Sequence, residues 1–321
     1  MSMNTPKQTS HLKREILVRL IKAFLSDNFE ENTRLIPYDM RPKGHEVPYR
    51  CCIYKERAIL RDRAVAGLGH SIEETDDSEL LSTLAEKALE REVPDDKPLT
   101  VLTTACKGCV PSRIYVTDLC QGCVARPCEN TCKFGAISVK DGKSVIDPAK
   151  CKNCGMCVQV CPYQAITKII VPCESACPVG AITKGEDGHA QIDFDKCISC
   201  GKCVSACPFG AVHEKSQIID VLKNIKAGKK VIAMIAPAIM GQLPCTPKQL
   251  RQAILELGFD DVYEVAQGAD VTTKTEAAEF EERLEHGAEF MTTSCCAGYN
   301  ELVDKHIPEL KPFRSDTKTP L

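Results

Sequence analysis

Tryptophan is absent from this 321-residue sequence, and aromatic residues make up only 5% of it. Surfaces that stack exposed bases need such rings, so the composition argues against a single-stranded nucleic-acid binder. A surplus of positive charge is missing too. Forty-one Lys and Arg stand against 44 Asp and Glu, for a net charge of −3, whereas a polyanion binder carries a basic patch. The longest apolar run, VIAMIAPAIM from Val231, is far shorter than the ~20 residues of a bilayer-spanning helix. No G-x-G-x-x-G or Walker loop occurs, which leaves no nucleotide or flavin site. The seven histidines are scattered outside metal-ligand spacings, and His213 reads as a surface residue. Near the N-terminus Ile16, Leu17, Leu20, Ile21, Phe24 and Leu25 form a helical stripe broken by charge, not a secretory signal core.

Cysteine is what the chain has in excess, with 21 residues. The reading is a cytoplasmic protein, and in that reducing compartment so many thiols point to metal ligands rather than disulfides. An apolar fraction of 43% supports packed cores.

Three regions follow from composition. Residues 1–100 hold only Cys51 and Cys52, which read as buried or structural thiols, and the spacing of Leu80, Leu81, Leu84, Ala88 and Leu89 makes this region mostly helical. Residues 101–215 are dense in Cys, Gly and Pro. Residues 216–321 alternate strand and helix signals: KKVIAMIAP, then TPKQLRQAILELGF with Pro247 near its start, then DDVYEVA, then a helix over KTEAAEFEERLEHG ending at Gly287. That alternation favours a parallel sheet covered by helices. The overall class is α+β.

The middle region repeats itself. The stretch from Cys132 aligns with the stretch from Cys177, each giving a short strand, an Asp-Gly turn (Asp141–Gly142, Asp187–Gly188), a returning strand and a run of cysteines. Cys151, Cys154, Cys157 and Cys161 spell C-x2-C-x2-C-x3-C-P, and Cys197, Cys200, Cys203 and Cys207 repeat it. Bacterial two-cluster ferredoxins hold [4Fe–4S] clusters with this run, the fourth Cys reaching across to the other cluster. Zinc would need only four thiolates in two separated pairs. The crossed pattern groups Cys120, Cys123 and Cys128 with Cys161, and Cys151, Cys154 and Cys157 with Cys132. It also groups Cys197, Cys200 and Cys203 with Cys177. Cys173 and Cys207 are left, and Cys106 and Cys109 would complete a fourth cluster with them. The alternative is that Cys106 and Cys109 form a separate site or none. The count is three or four clusters, and such a chain of cubanes moves single electrons.

Farther along, TTSCCAGY around Cys295 and Cys296 resembles the T-S-C-C-P-G-W signature of the [FeFe]-hydrogenases, and GADVTTKTEAAEF resembles the stretch leading into it. YRCCIYKERAILRDRA, LTTACKGC and the cluster-rich unit resemble a monomeric branch of that family, group B. The resemblance implies tandem ferredoxin-like modules followed by an α/β lobe of [FeFe]-hydrogenase type. It implies reversible reduction of protons to H2 in an anaerobic setting, with electrons drawn from a redox protein such as a ferredoxin. Cys295 would be the catalytic proton donor, and Cys296 would ligate the [4Fe–4S] part of the H-cluster, whose other part is a diiron unit.

Ala297 and Tyr299 depart from the Pro and Trp usual there, which leaves loop rigidity and the outer proton path open. The family's P-C-x-x-K and C-x-x-G-C signatures do not follow, so the expectation is a C-terminally truncated fragment without a complete H-cluster. LPCTPKQ at Cys245 precedes the pair and reads as coincidence. Two other readings stand beside the enzyme: a polyferredoxin-type electron carrier, and a hydrogenase-like sensor or iron–sulfur assembly protein.

Overall fold

The computed structural model describes residues 8–44 and 50–320, so Tyr49, which opens the YRCCIYK stretch, lies outside the described residues. The N-terminal region folds as α1 (Gln8–Phe24), α2 (Phe29–Met40), α3 (Ile53–Gly67) and α4 (Leu81–Glu90). Helix α1 buries Ile16, Leu20, Ala23 and Phe24, a stripe at helical spacing. Leu25 and Leu80 leave the expected stripes because each lies just outside a helix end, and both are exposed. An ion pair at 2.9 Å between buried Arg41 and Glu56 ties the end of α2 to α3. Cys51 and Cys52 are not buried. Cys51 is exposed, and Cys52 is the extended N-cap residue of α3.

Residues 99–214 run in the order β1 (Leu99–Val101), β2 (Arg113–Val116), α5 (Pro127–Asn130), β3 (Ile137–Lys140), β4 (Lys143–Ile146), α6 (Met156–Val160), β5 (Ile166–Ile169), α7 (Pro172–Ala176), β6 (Ile182–Lys184), β7 (Ala190–Ile192), α8 (Lys202–Ala206) and β8 (Val212–Glu214). All pairing here is antiparallel: β1 with β8, β2 with β5, β3 with β4, β6 with β7. The two modules are therefore nested rather than strictly sequential. One is closed by β2 and β5. The other is opened by β1, interrupted by the first, and closed by β8. The β3–β4 turn has Asp141 and Gly142 both at positive φ, as expected. The β6–β7 connection is longer, and only Gly188 of its Asp-Gly pair is left-handed. There Asp187 instead accepts the backbone N–H of His189 at 2.9 Å.

The N-terminal helices do not form a separate core. Leu102, Ala105, Ala211 and Ile219 belong to their buried cluster, and Cys106 and Cys207 pack against it. His213, on β8 beneath this cover, is buried and not on the surface.

Helix α9 (Ile218–Lys226) leads to β9 (Ile232–Ile235), α10 (Pro247–Glu256), β10 (Asp261–Glu264), α11 (Val265–Glu285) and α12 (Ala297–His306). Strands β9 and β10 are parallel, Ile232 opposite Asp261, as the alternating pattern requires. Thr246 and Gln249 cap α10 reciprocally, with Pro247 in its first turn. Cys245 lies in the turn just before that cap. Helix α11 begins at Val265, well before Lys274. Gly268 lies inside it, and the chain at Pro320 passes so close that a Cβ there would come within 2.1 Å of the Pro320 oxygen. Among the described residues, no helix is long and apolar enough to cross a membrane.

Candidate cluster and vicinal-cysteine site

Four structurally equivalent units build the cysteine region. The first cysteines are Cys106, Cys120, Cys151 and Cys197. Their backbone N–H groups bond to the oxygens of Leu102, Thr117, Asp147 and Asp193 at 2.9–3.2 Å. The residue two positions on is left-handed in each: Gly108 at φ 57°, Gly122 at 56°, Asn153 at 54° and Ser199 at 53°. A short helix then carries Cys128, Cys157, Cys173 or Cys203. Cys132, Cys161, Cys177 and Cys207 follow the helices, and each sulfur accepts the backbone N–H of the alanine four residues later. Ala136, Ala165, Ala181 and Ala211 donate at 3.4, 3.3, 3.2 and 3.4 Å. These alanines are at most 3% exposed. N–H···S bonds of this kind favour a thiolate over a thiol.

This equivalence settles the place of TACKGC in the fold. Cys106 and Cys109 stand to Cys173 and Cys177 as Cys120 and Cys123 stand to Cys128 and Cys132, with the inner module inserted between them. The glycine pattern agrees. A Cβ on Gly122 would lie 1.8 Å from the Gly142 oxygen, and one on Gly108 would lie 3.4 Å from the Gly188 oxygen, so both loops pack on their hairpin turns.

Burial brings the sulfurs together in groups. Cys106, Cys109, Cys173 and Cys207 share one apolar cluster with Cys177 and Cys203. Cys177, Cys197 and Cys203 meet in a second, and Cys128, Cys132, Cys151, Cys157 and Cys161 in a third. Ser144 links Cys120 and Cys128. Its N–H donates to the Cys120 sulfur at 3.4 Å, and its hydroxyl lies 3.4 Å from the Cys128 sulfur. Cys123, part-exposed, and Cys154 and Cys200, exposed, occupy the outer loops.

Burial, more than the nearby Cys197 and Cys177 sulfurs, pushes the Cys203 thiol up to about 11. Burial likewise raises Cys173, beside Cys207, and Cys157, beside Cys151 and Cys154. The N–H groups of Ser144 and Gly122 lower Cys120. Iron must therefore displace protons from several buried thiols. Among the described residues, no three His, Cys, Asp or Glu side chains converge on a single-ion point.

Cys295 and Cys296 sit on a separate scaffold. Thr292 pairs with the returning chain, its N–H donating to Phe313 at 2.8 Å and its carbonyl accepting from Ser315 at 2.8 Å. Phe290 and Phe313 stack at 4.3 Å beside them. Helix α11 holds both segments through Glu276 and Glu279. Glu276 accepts the Ser294 N–H at 3.0 Å. Glu279 accepts from the Ser315 hydroxyl at 2.5 Å, the Asp316 N–H at 3.0 Å and the Thr317 hydroxyl at 3.1 Å. Burial opposes ionisation of Glu279, yet these donors and Arg283 hold its carboxyl at about 2. Asn300 donates to the Ser294 oxygen at 2.9 Å and closes the turn.

Both cysteines are exposed, and Cys296 is the N-cap residue of α12. That helix docks on the cluster loop. Lys305 donates to the oxygens of Phe194 and Cys197 at 3.1 and 2.8 Å, and His306 donates to Lys196 at 2.8 Å. The Cys296 sulfur and the Ile198 oxygen both lie within 4.0 Å of the point where a Cβ on Gly298 would project. Cys296 thus stands next to the loop carrying Cys197 and Cys200. The sequence reading missed Lys305, His306, Glu276, Glu279 and Ser144, whose partners are distant in the chain. It also passed over a legible signal, the alanine four residues after Cys132, Cys161, Cys177 and Cys207.

Residues 216–321 contain only Cys245, Cys295 and Cys296. A four-thiolate cubane at Cys296 therefore needs sulfurs from outside this lobe. The residues present fit [4Fe–4S] clusters in the cysteine region; those of this lobe do not by themselves fit a complete H-cluster.

Comparison with known proteins agrees with this architecture. Residues 229–321 match the family described as iron only hydrogenase large subunit, C-terminal domain. Residues 144–167 and 190–213 match the 4Fe-4S binding domain. The periplasmic [Fe] hydrogenase large subunit of Nitratidesulfovibrio vulgaris is 38% identical over 189 residues, covering 55% of this chain and 42% of that protein. Iron hydrogenase 1 of Clostridium pasteurianum is 34% identical over 186 residues, covering 54% of this chain and 32% of that protein. The NADP-reducing hydrogenase subunit HndD of Solidesulfovibrio fructosivorans is 33% identical over 75% of this chain and 38% of its own length. The chain thus spans about a third to two-fifths of these relatives. With 4Fe-4S binding domains joined to the C-terminal domain of the iron-only hydrogenase large subunit, it is an iron–sulfur, hydrogenase-like protein.

Proposed function

We propose that the chain is the electron-relay and proton-donor part of an [FeFe]-hydrogenase of the group B type. It would serve reversible reduction of protons to H2 in the anaerobic cytoplasm. The ligand sets are Cys120, Cys123, Cys128 and Cys161; Cys151, Cys154, Cys157 and Cys132; Cys106, Cys109, Cys173 and Cys207; and Cys197, Cys200, Cys203 and Cys177. When bound, each [4Fe–4S] cluster stores and releases one electron.

The protein's own residues do the rest. The cysteine thiols would lose their protons to solvent as their sulfurs take iron, and the alanine N–H groups donate to four of the sulfurs. The apolar clusters keep water from the centres, where a low dielectric strengthens each N–H···S bond. Electrons enter from a ferredoxin-type partner and leave toward Cys296. The exposed Cys295 thiol holds a proton at Sγ and passes it on, as a positioned acid–base group does. The docking of α12 on the Cys197 loop supports this reading, because Cys296 stands next to the loop whose cysteines would hold the last cluster. The lobe's shortage of thiolates favours a second reading, in which these residues alone are an electron carrier.

Anaerobic reconstitution tests the cluster assignment. Four cubanes bring about 16 iron atoms per chain, and Cys132→Ala impairs the cluster held by Cys151, Cys154 and Cys157. Iron near 12, or damage confined to the Cys120 cluster, sinks it. Viologen-driven H2 evolution after joining the chain to a segment that supplies the remaining thiolates separates enzyme from carrier.

A further inference from the structure

The N-terminal helices bring a cation to the loop after Cys207. Arg63 of α3 is 4% exposed. Its Nη2 donates to the oxygen of Phe209 at 3.2 Å, two residues beyond Cys207. The same nitrogen lies 2.9 Å from the point where a Cβ on Gly210 would project. Burial and Arg50 lower its pKa to about 10, against the pull of Cys207, Asp62 and Glu56, so it stays charged at neutral pH.

Asp62 and Glu56 pull on that charge, but among the described residues each carboxylate is paired with another arginine. Lys13 is paired with Glu214, and burial holds His213 neutral at about 3. Asp62 is engaged by the Thr104 hydroxyl at 2.5 Å, and Glu56 by Arg41. Arg50 adds a second cation over the Phe209 ring at 5.2 Å. The Nε of Arg63 is buried without a hydrogen-bond partner. A buried cation with an unused N–H costs stability. That cost has a use where negative charge arrives and leaves.

We propose that Arg63 tunes the cluster ligated by Cys207, holding its reduction potential above the value it would have without the guanidinium. This rests on the assignment of Cys106, Cys109, Cys173 and Cys207 to one cubane. Reduction by the ferredoxin-type donor adds one electron and one negative charge to that cluster, with no proton taken up. A fixed positive charge close by favours the reduced form. The N-terminal helices then set which cluster fills first, as well as covering it.

EPR-monitored redox titration with iron analysis of the reconstituted chain tests this. In Arg63→Gln at unchanged iron content, one reduction step moves down by about tenfold in its equilibrium, ~59 mV for a one-electron couple. It is the step that Cys207→Ser also alters, and Arg63→Lys leaves it in place. The Thr9 side chain lies 3.0 Å from the same point beside Gly210. Thr9→Glu therefore brings a carboxylate to the guanidinium and lowers the same step with Arg63 retained, whether or not Arg63→Gln folds. Steps unmoved in both variants at full iron content overturn the proposal. So does an equal shift in Arg63→Lys, which assigns the effect to shape. Low iron in the unmutated chain instead sinks the four-cluster assignment, so the two failures are distinct.

Discussion

The ammonium of Lys305 donates to the backbone oxygen of Cys197 at 2.8 Å. One hydrogen bond thus joins the helix that starts at the vicinal pair to a loop that carries cluster cysteines. Lys305→Met removes this bond and its partner to Phe194, and also an ion pair with Glu301 at 2.6 Å. Hydrogen bonds from charged groups contribute ~1.5–3 kcal/mol; the Lys305 side chain is 30% exposed, which places the loss at about 1–2 kcal/mol. Hydrogen exchange checks it: α12 amides lose protection while iron content holds. Unchanged protection means that α12 is held by other contacts.

Gly122 and Gly135 are both left-handed, at φ 56° and 57°, but only Gly122 is crowded. Gly122→Ala drives a Cβ into the Gly142 backbone, so the Cys120–Cys123 loop parts from its hairpin. Iron falls by about four atoms, one cubane. Gly135→Ala meets nothing within 4 Å and costs only backbone strain, ~1–2 kcal/mol, with iron retained. Equal iron in the two variants contradicts this account.

On the proposed roles, the vicinal cysteines fail differently when the chain is joined to a segment that supplies the remaining thiolates. Cys296→Ala prevents assembly of the H-cluster, and the infrared bands of the diiron unit are lost. Cys295→Ala keeps those bands while turnover drops about 10²-fold or more, and Cys295→Asp recovers part of the rate. Loss of the bands in both variants, or full activity in Cys295→Ala, overturns the division of roles.

Glu279 sets an acid limit on the scaffold of the pair. Its folded pKa, about 2, lies below the ~4.3 of a free glutamate. Its contribution is therefore fully present above pH ~4.3 and is lost as pH falls toward 2. Thermal melts of the apoprotein between pH 5 and 2.5 show a steeper loss of stability in the native chain than in Glu279→Gln. Parallel slopes argue that the strap at 315–317 is held by something else.

The sequence alone determined the class of chemistry and most of the local structure. Ligand runs at fixed spacing need no partner to be legible: three cysteines in one tight loop followed by C-P declare a cubane, and Asp-Gly between alternating residues declares a hairpin. The helix that begins at Pro247 was readable for the same reason, and the alternation of strand and helix segments pointed to the parallel pairing of β9 and β10. The vicinal pair carried its own signature.

What spans the chain was decided only by tertiary structure. Cys106 and Cys109 became equivalent to Cys120 and Cys123 only when β1 paired with β8 across an inserted module. His213 and Arg63 became buried only when the N-terminal helices closed over Ala211. Only the packing of Pro320 on α11 shows why position 268 has no room for a Cβ. Cys296 came to the Cys197 loop through Lys305 and His306, whose partners lie 108 to 111 residues away. Spacing within a loop is set by backbone geometry and appears in the letters. Which loops meet is set by shared burial and long-range hydrogen bonds, and no local pattern records it.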